Sequence, residues 1–445
     1  MKRCFYQDLL RWKSSGQRKP LIVKGARQVG KTYLLTRFGQ KEFKNYHHFD
    51  FTKNRKLASV FDDGLDALEI IKRLEIQYEQ KINVAEDLII FDEIQECPRA
   101  ITALKYFCDD LKKSYVVASG SFLGLSLSLD PYPVGKVKTL TLYPMSFFEF
   151  LEGLEKTRLL EEIIHGTPKG VLSKTVHEKA WEYLKYFFIT GGLPEVVQTF
   201  KNHSHNMLTA LTMVRELQSE ILDNYFSDMA KHAGKTNAVK IQAVFNNVPI
   251  QLARENRTSQ KFVFKDVLST RSNYEQLEDP IEWLVKAGFV YKVSICKRAE
   301  SPLKAYTDPN KFKLFLFDVG LLGLMVGLAP KNIFSYDYGS YKGYFAENYV
   351  LGELLPTLNQ GLTSWQEGMS EIEFLMECAG QIIPIEVKAG INKKAKSLGV
   401  FTKCYHPKQA FLVSGNPLSL NKKGLSFVPL YSSCLLKNLA FGKLS

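Results

Sequence analysis

Residues 25–32 read GARQVGKT, and their types and spacing prescribe phosphate chemistry. Gly25 and Gly30 let the backbone curl, so the consecutive N–H groups of Ala26, Arg27, Gln28 and Val29 can point inward at anionic oxygens. Lys31 supplies a cation able to bridge a β- and a γ-phosphate, and the Thr32 hydroxyl is a ligand for Mg²⁺. Tyr33 continues into YLLTRF, a helix whose dipole favours the same negative charge. LIVK ahead of the motif reads as a strand, so both flanks have the context that a phosphate loop requires. The nucleotide-binding set is therefore Gly25 to Tyr33.

A second constellation follows about sixty residues on, in LIIFDEIQ at 88–95. An apolar strand buried in a sheet delivers its terminal carboxylate to the edge where the phosphate loop sits. Asp92 is assigned to the Mg²⁺, and Glu93 to polarising an attacking water as general base, with Lys31 as its catalytic partner. Alone, an acid pair at a strand end reads as a helix N-cap; beside the phosphate loop the catalytic reading takes precedence. No N-K-x-D follows, because the NKK stretches at 392 and 421 lack the Asp, so the nucleotide is ATP. The next apolar strand ends in ASGSFLG (118–124), where Ser119 or Ser121 can sense a γ-phosphate, the plain alternative being a strand-to-loop turn. Ser121 joins the binding set. Arg27, Arg99, Arg215, Arg254 and Arg257 are arginine-finger candidates between which the sequence does not choose.

The elements that must position these groups alternate as an α/β domain with a parallel sheet does. Strands are expected at 20–25, 46–51, 87–93, 114–121 and 136–145, with helices at 31–39 and 100–113. This first domain covers 1–150. Residues 151–245 read as a helical lid region, in which GGLPE (191–195) is either a lid or, more simply, a turn leading into a helix. Short helices followed by GFVYKVSI (288–295) and FKLFLFD (312–318) imply a winged-helix connector over 246–335. A C-terminal α/β domain fills 336–445.

The chain has 445 residues, 45% of them hydrophobic and 24% charged, which is the composition of a globular soluble protein of two or three domains. No run of eighteen apolar residues predicts a membrane span. The N-terminal MKRCFYQDLLRWKSSG reads as an amphipathic helix of the mature protein rather than a signal peptide. Seven cysteines without CxxC pairs point to a reducing cytoplasm and away from structural zinc. The eight histidines show no spacing for a metal or a catalytic dyad. A net charge of +13 is compatible with a nucleic-acid partner and equally with a basic solvated surface.

GARQVGKT, FDEIQECPRAITALKY, SGSFLG, YPMSFFEFL and GGLPE resemble the prokaryotic AAA-type P-loop ATPases that carry a C-terminal domain of uncharacterised function. FVYKV, FLFDVGLL, GYFAENYV and IPIEVKAG resemble later segments of the same family, so the resemblance spans nearly the whole chain. It implies ATP binding, a winged-helix segment and a restriction-endonuclease-like C-terminal fold. One departure is visible: the family usually has an Asp in the strand before IEVK, where this chain has EIEFLME with Glu373.

The C-terminal acids have a chemistry of their own. Glu371, Glu373 and Glu377 alternate with apolar residues and share one strand face. In IIPIEVK, Ile383, Ile385 and Val387 point one way while Glu386 and Lys388 share the other. Antiparallel pairing sets Glu373 beside Glu386, a carboxylate pair suited to Mg²⁺, with Lys388 to steer water and Glu347 as a supporting acid. A solvated Glu–Lys pair on a half-exposed hairpin is the plain alternative. The expectation is an ATPase that drives or switches a nuclease-like domain acting on nucleic acid. Its alternative is an ATP-dependent switch or protein adaptor whose C-terminal domain does not cut. The oligomeric state is left open.

Overall fold

The computed structural model describes the chain apart from residues 122–132, 254–260, 266, 269–271, 359–360, 379, 392–394, 422–423 and 442–445, and apart from the side chains of 232–236 and 252–253. The chain divides into two compact units. One holds Lys2–Tyr143 with Lys286–Gly288, the other Pro144–Val285 and Phe289–Ser445 with Met1.

The first unit opens with α1 (Phe5–Lys13), which buries Phe5, Leu9 and Trp12. Its sheet contains β1 (Leu21–Gly25), β2 (Tyr46–Asp50), β3 (Leu88–Asp92), β4 (Tyr115–Ser121) and β5 (Lys138–Thr141), in the order β2-β3-β4-β1-β5. Every pairing is parallel. The helices α2 (Lys31–Glu42), α3 (Ala67–Tyr78) and α4 (Pro98–Asp110) supply the crossovers. All five residues of β3 are buried, which is why LIIFD carries no polar alternation. Phe49, Phe51, Phe61, Phe91 and Phe107 form a continuous aromatic core on one side of this sheet. The insertion of β4 between β1 and β3 brings three strand ends together at one edge: Gly25, Asp92 and Ser119–Ser121.

The second unit begins with a helical run: α5 (Phe147–Gly153), α6 (Thr157–Lys169), α7 (Lys174–Thr190), α8 (Pro194–His203) and α9 (Met207–Ala253). A complete capping box between Ser146 and Glu149 starts α5. After α10 (Tyr274–Ala287) come β6 (Val290–Cys296), β7 (Thr307–Leu316), α11 (Val319–Met325), α12 (Pro330–Ser335) and α13 (Tyr341–Leu354). The chain closes with β8 (Thr363–Glu367), β9 (Ser370–Cys378), β10 (Gln381–Val387), α14 (Lys396–Tyr405), β11 (Ala410–Ser414), β12 (Leu425–Pro429) and α15 (Leu436–Phe441).

Two expectations change here. The hairpin expected as a wing is β6–β7, and β6 also pairs in parallel with β8 in one seven-stranded sheet, order β12-β11-β10-β9-β8-β6-β7. β7 ends in the buried run Phe312–Leu316, which is covered as a sheet member and would be exposed as a free wing. The helices ahead of it are not short: α9 runs 47 residues across the expected boundary at 245. The second change concerns β10, whose residues Ile383–Val387 are all buried. Glu386 therefore lies on no wet face, and the plain hairpin reading fails.

Candidate functional site

The phosphate loop is shaped by two left-handed residues, Gln28 at φ 65° and Gly30 at φ 90°. Glycine accepts that conformation freely, whereas a non-glycine there stores strain. Gly25 has a further reason to lack a side chain: a Cβ there would stand 2.4 Å from the Leu142 carbonyl oxygen. Arg3 holds the loop from outside, donating to the Val29 carbonyl at 2.9 Å and to the Tyr143 carbonyl. The Lys31 ammonium is buried and donates to the carbonyls of Gly25 at 3.0 Å and Ala26 at 2.9 Å. Burial pushes its pKa down, and the nearby charges of Glu93 and Asp92 partly restore it.

Thr32 Oγ1 donates to Asp92 Oδ2 at 2.7 Å, so the two groups expected to share a Mg²⁺ meet across sixty residues of chain. Asp92 is the hub. Ser119 donates to Oδ1, the Glu93 N–H reaches the same oxygen at 3.2 Å, and His48 Nε2 lies 3.1 Å from Oδ2. Burial alone would raise the Asp92 pKa, but the hydrogen bonds from His48, Ser119 and Thr32 outweigh it and hold the carboxyl below the usual range. Glu93 sits at φ 52°, an uncommon conformation for a non-glycine residue, and accepts a hydrogen bond from Gln95 Nε2.

Of the two serines, Ser119 is buried on Asp92, while Ser121 pairs in register with Gly25 at the loop's mouth. Tyr33 is 56% exposed on the outer side of α2, where Arg37 donates to its hydroxyl. Two arginine-finger candidates are committed elsewhere. Arg99 donates to the Phe61 and Asp62 carbonyls, and Arg215 to those of Gly320 and Leu328. Arg254 and Arg257 lie outside the described residues. Sequence reasoning missed His48, whose contact with Asp92 depends on the pairing of β2 with β3.

The C-terminal residues also converge. Phe374 pairs with Ile385, and this register places Glu373 beside Glu386. Lys388 Nζ lies 3.5 Å from Glu373 Oε1 and 3.1 Å from Glu386 Oε1. The second oxygens are also taken: Glu373 Oε2 accepts the Val387 N–H at 3.0 Å and Glu386 Oε2 the Leu398 N–H at 3.2 Å. Glu347 joins from α13, but through a residue the sequence did not nominate. Lys313 on β7 bonds Glu347 Oε2 at 3.4 Å and pairs closely with Glu371. Burial pushes the Glu373 carboxyl up to about 7 against the opposing pull of Lys388. The same cause raises Glu347, which Lys313 counters. Glu377 is turned away, accepting from Leu303 N at 3.1 Å and from Ser301. Among the described residues, no group of three or more His, Cys, Asp or Glu is arranged to hold a metal ion.

GGLPE is also explained. A Cβ on Gly191 would stand 2.1 Å from Asp318 Oδ1, and one on Gly192 2.2 Å from the Met145 carbonyl oxygen. Asp318 caps α11, accepting from Gly320 N at 2.9 Å and Leu321 N at 3.0 Å, and its other oxygen accepts Gly192 N at 2.7 Å. The motif is a close-packed joint in the second unit.

A strand-loop-helix with these contacts, in a parallel sheet of this order, defines a P-loop NTPase fold. Residues 17–151 match a family model described as an AAA domain. Residues 181–332 and 342–432 match two models described as Domain of unknown function (DUF8612) and Domain of unknown function (DUF4143). No curated protein matches the chain. Similar solved structures include the Walker-type ATPase paby2304 of Pyrococcus abyssi, 12% identical, covering 73% of this chain and 95% of that one, at a TM-score of 0.45. The Aeropyrum pernix ORC1 protein in complex with DNA is 14% identical over 76% and 93% of the two chains, at 0.30. AMPPCP-bound DnaA from Aquifex aeolicus is 12% identical over 63% and 87%, at 0.27.

Proposed function

We propose that the first unit binds Mg·ATP at residues 25–33 and hydrolyses it, and that this cycle switches a nuclease-like C-terminal domain that holds its partner without cutting. The observation that carries the reading is the 2.7 Å hydrogen bond from Thr32 to Asp92, which brings the phosphate loop and the acidic strand end to one point. The residues fit a metal: the Thr32 hydroxyl and the Asp92 carboxylate lie together and would hold Mg²⁺, with phosphate oxygens and water as its further ligands. Bound Mg²⁺ would neutralise charge on the β- and γ-phosphates.

The chain's own residues do the rest. Loop N–H groups and the Lys31 ammonium hold the phosphates. Glu93 Oε accepts a proton from water as the water oxygen bonds the γ-phosphorus; the bond from that phosphorus to the β,γ-bridging oxygen breaks, and ADP leaves with the electron pair. Ser119 and His48 orient Asp92, and Ser121 faces the γ-phosphate.

The seven-stranded sheet is read as restriction-endonuclease-like, and the net charge of +13 supports nucleic acid as its partner. Seven free thiols support a cytoplasmic setting. A second reading, Mg²⁺-dependent cleavage by Glu347, Glu373, Glu386 and Lys388, is favoured by their convergence; the Lys313 ammonium in the same cluster weighs against it. Equilibrium titration with a fluorescent ATP analogue tests the main reading. Lys31→Ala is expected to weaken binding by roughly a hundredfold, the loss of a charge-assisted contact of about 3 kcal/mol. Unchanged affinity would refute the site.

A further inference from the structure

We propose that the Lys313 ammonium is a resident cation occupying the role of a divalent metal in the C-terminal acidic cluster, making that cluster a non-hydrolytic structural core. The inference deepens the non-cutting half of the reading above, and counting bound metal separates its failure from any failure of nucleotide binding.

The cluster has four carboxylates, Glu347, Glu371, Glu373 and Glu386, and two ammoniums, Lys313 and Lys388. Lys313 is 3% exposed, and burying an ammonium is costly unless opposite charge and hydrogen-bond acceptors compensate it. Its compensation comes from Glu347 on α13, at 3.4 Å, and from Glu371 on β9. Lys388 makes its close contacts with the other two acids, Glu373 and Glu386. The shortest contacts of the two ammoniums thus fall on different acids, while their charges act on the cluster as a whole.

A Mg²⁺ ion requires six oxygens in near-octahedral array at about 2.0–2.1 Å and gives up water reluctantly. Here both oxygens of Glu373 and both of Glu386 already face a lysine or a backbone N–H. To bind between Glu347 and Glu371, a metal would have to displace the Lys313 ammonium, a covalently tethered cation whose side chain is buried. Glu373, one methylene longer than an Asp, folds its Oε2 back onto Val387 N instead of presenting it. The four acids and the E-x-K pair thus form a structural ion network, which ties β7, β9, β10 and α13 together.

Mn²⁺ binding to the full-length chain, counted by electron paramagnetic resonance without nucleotide, tests this. The Asp92→Asn background removes the phosphate-loop metal site. In that background the chain is expected to bind no Mn²⁺ and to melt at the same temperature with and without EDTA. Adding Lys313→Met frees Glu347 and Glu371, and about one equivalent of Mn²⁺ is then expected, lost again with Glu371→Gln. One equivalent bound by the Asp92→Asn protein and abolished by Glu373→Gln overturns the proposal. So does a folded Lys313→Met chain that binds none. Should Lys313→Met not fold, wild-type incubation with Mg²⁺ and DNA decides: cleavage that vanishes in Lys388→Ala overturns the proposal, and intact DNA together with the absent Mn²⁺ supports it.

Discussion

Glu353 gives the sharpest test of the second unit's energetics. Its Oε1 accepts the Phe147 N–H at 2.7 Å, at the start of α5, while its Oε2 and the Tyr349 hydroxyl are buried without a protein partner. Both residues line a cavity of about 30 Å³ with Met145, Gly192, Asp318 and Asn348, room for about one water. Burial drives the Glu353 carboxyl from 4.5 to about 8, and the charge of Glu149 adds to the rise. The folded pKa lies above the unfolded one, so the stabilisation is complete below pH 4.5 and is lost as pH climbs through about 8. At about 1.4 kcal/mol per unit, the loss is on the order of 5 kcal/mol in total and about 3 kcal/mol by pH 7. Glu353→Gln keeps the acceptor for Phe147 and cannot ionise. Denaturant midpoints of the full-length protein and the variant, followed by a probe in the second unit near pH 5 and near pH 8.5, read the difference. The raised groups Asp318 and Glu373 titrate in both proteins and cancel. The variant should gain several kcal/mol on the wild type between the two conditions. A difference between the two proteins that stays constant, or that moves in favour of the wild type at high pH, refutes the burial argument.

Gly191→Ala should destabilise the second unit by on the order of 3 kcal/mol, since φ is +68° and the added Cβ would meet Asp318 at 2.1 Å; thermal melting checks it, and a wild-type melting temperature would contradict the joint. Binding to DNA, measured between about 50 and 200 mM salt, should weaken by at least tenfold if lysines contact phosphates; a flat salt dependence would argue for a protein partner.

What was legible in the sequence was local. GARQVGKT between a strand and a helix contains its own context, and LIIFDE ends an apolar run with an acid pair, so Lys31, Thr32 and Asp92 could be nominated before any contact was known. The Glu373–Glu386 pair was also readable, because two alternating runs joined by a short turn have few registers. Non-local partners were not readable. Lys313 lies 34 residues before Glu347, in an apolar run whose single lysine looks like a surface position. His48 reaches Asp92 only because β2 pairs with β3, and β6–β7 joins the larger sheet only through β8. Both faces of β10 are covered, so its alternation carried no sign of which side was wet.

The central claim is that Glu93, at the end of β3, activates water against ATP held by the phosphate loop. Steady-state Mg·ATP turnover by wild type and Glu93→Gln, measured alongside ATP affinity, tests it most directly. The account predicts turnover lower by about a hundredfold or more, with affinity unchanged. Equal turnover in the two proteins would contradict it.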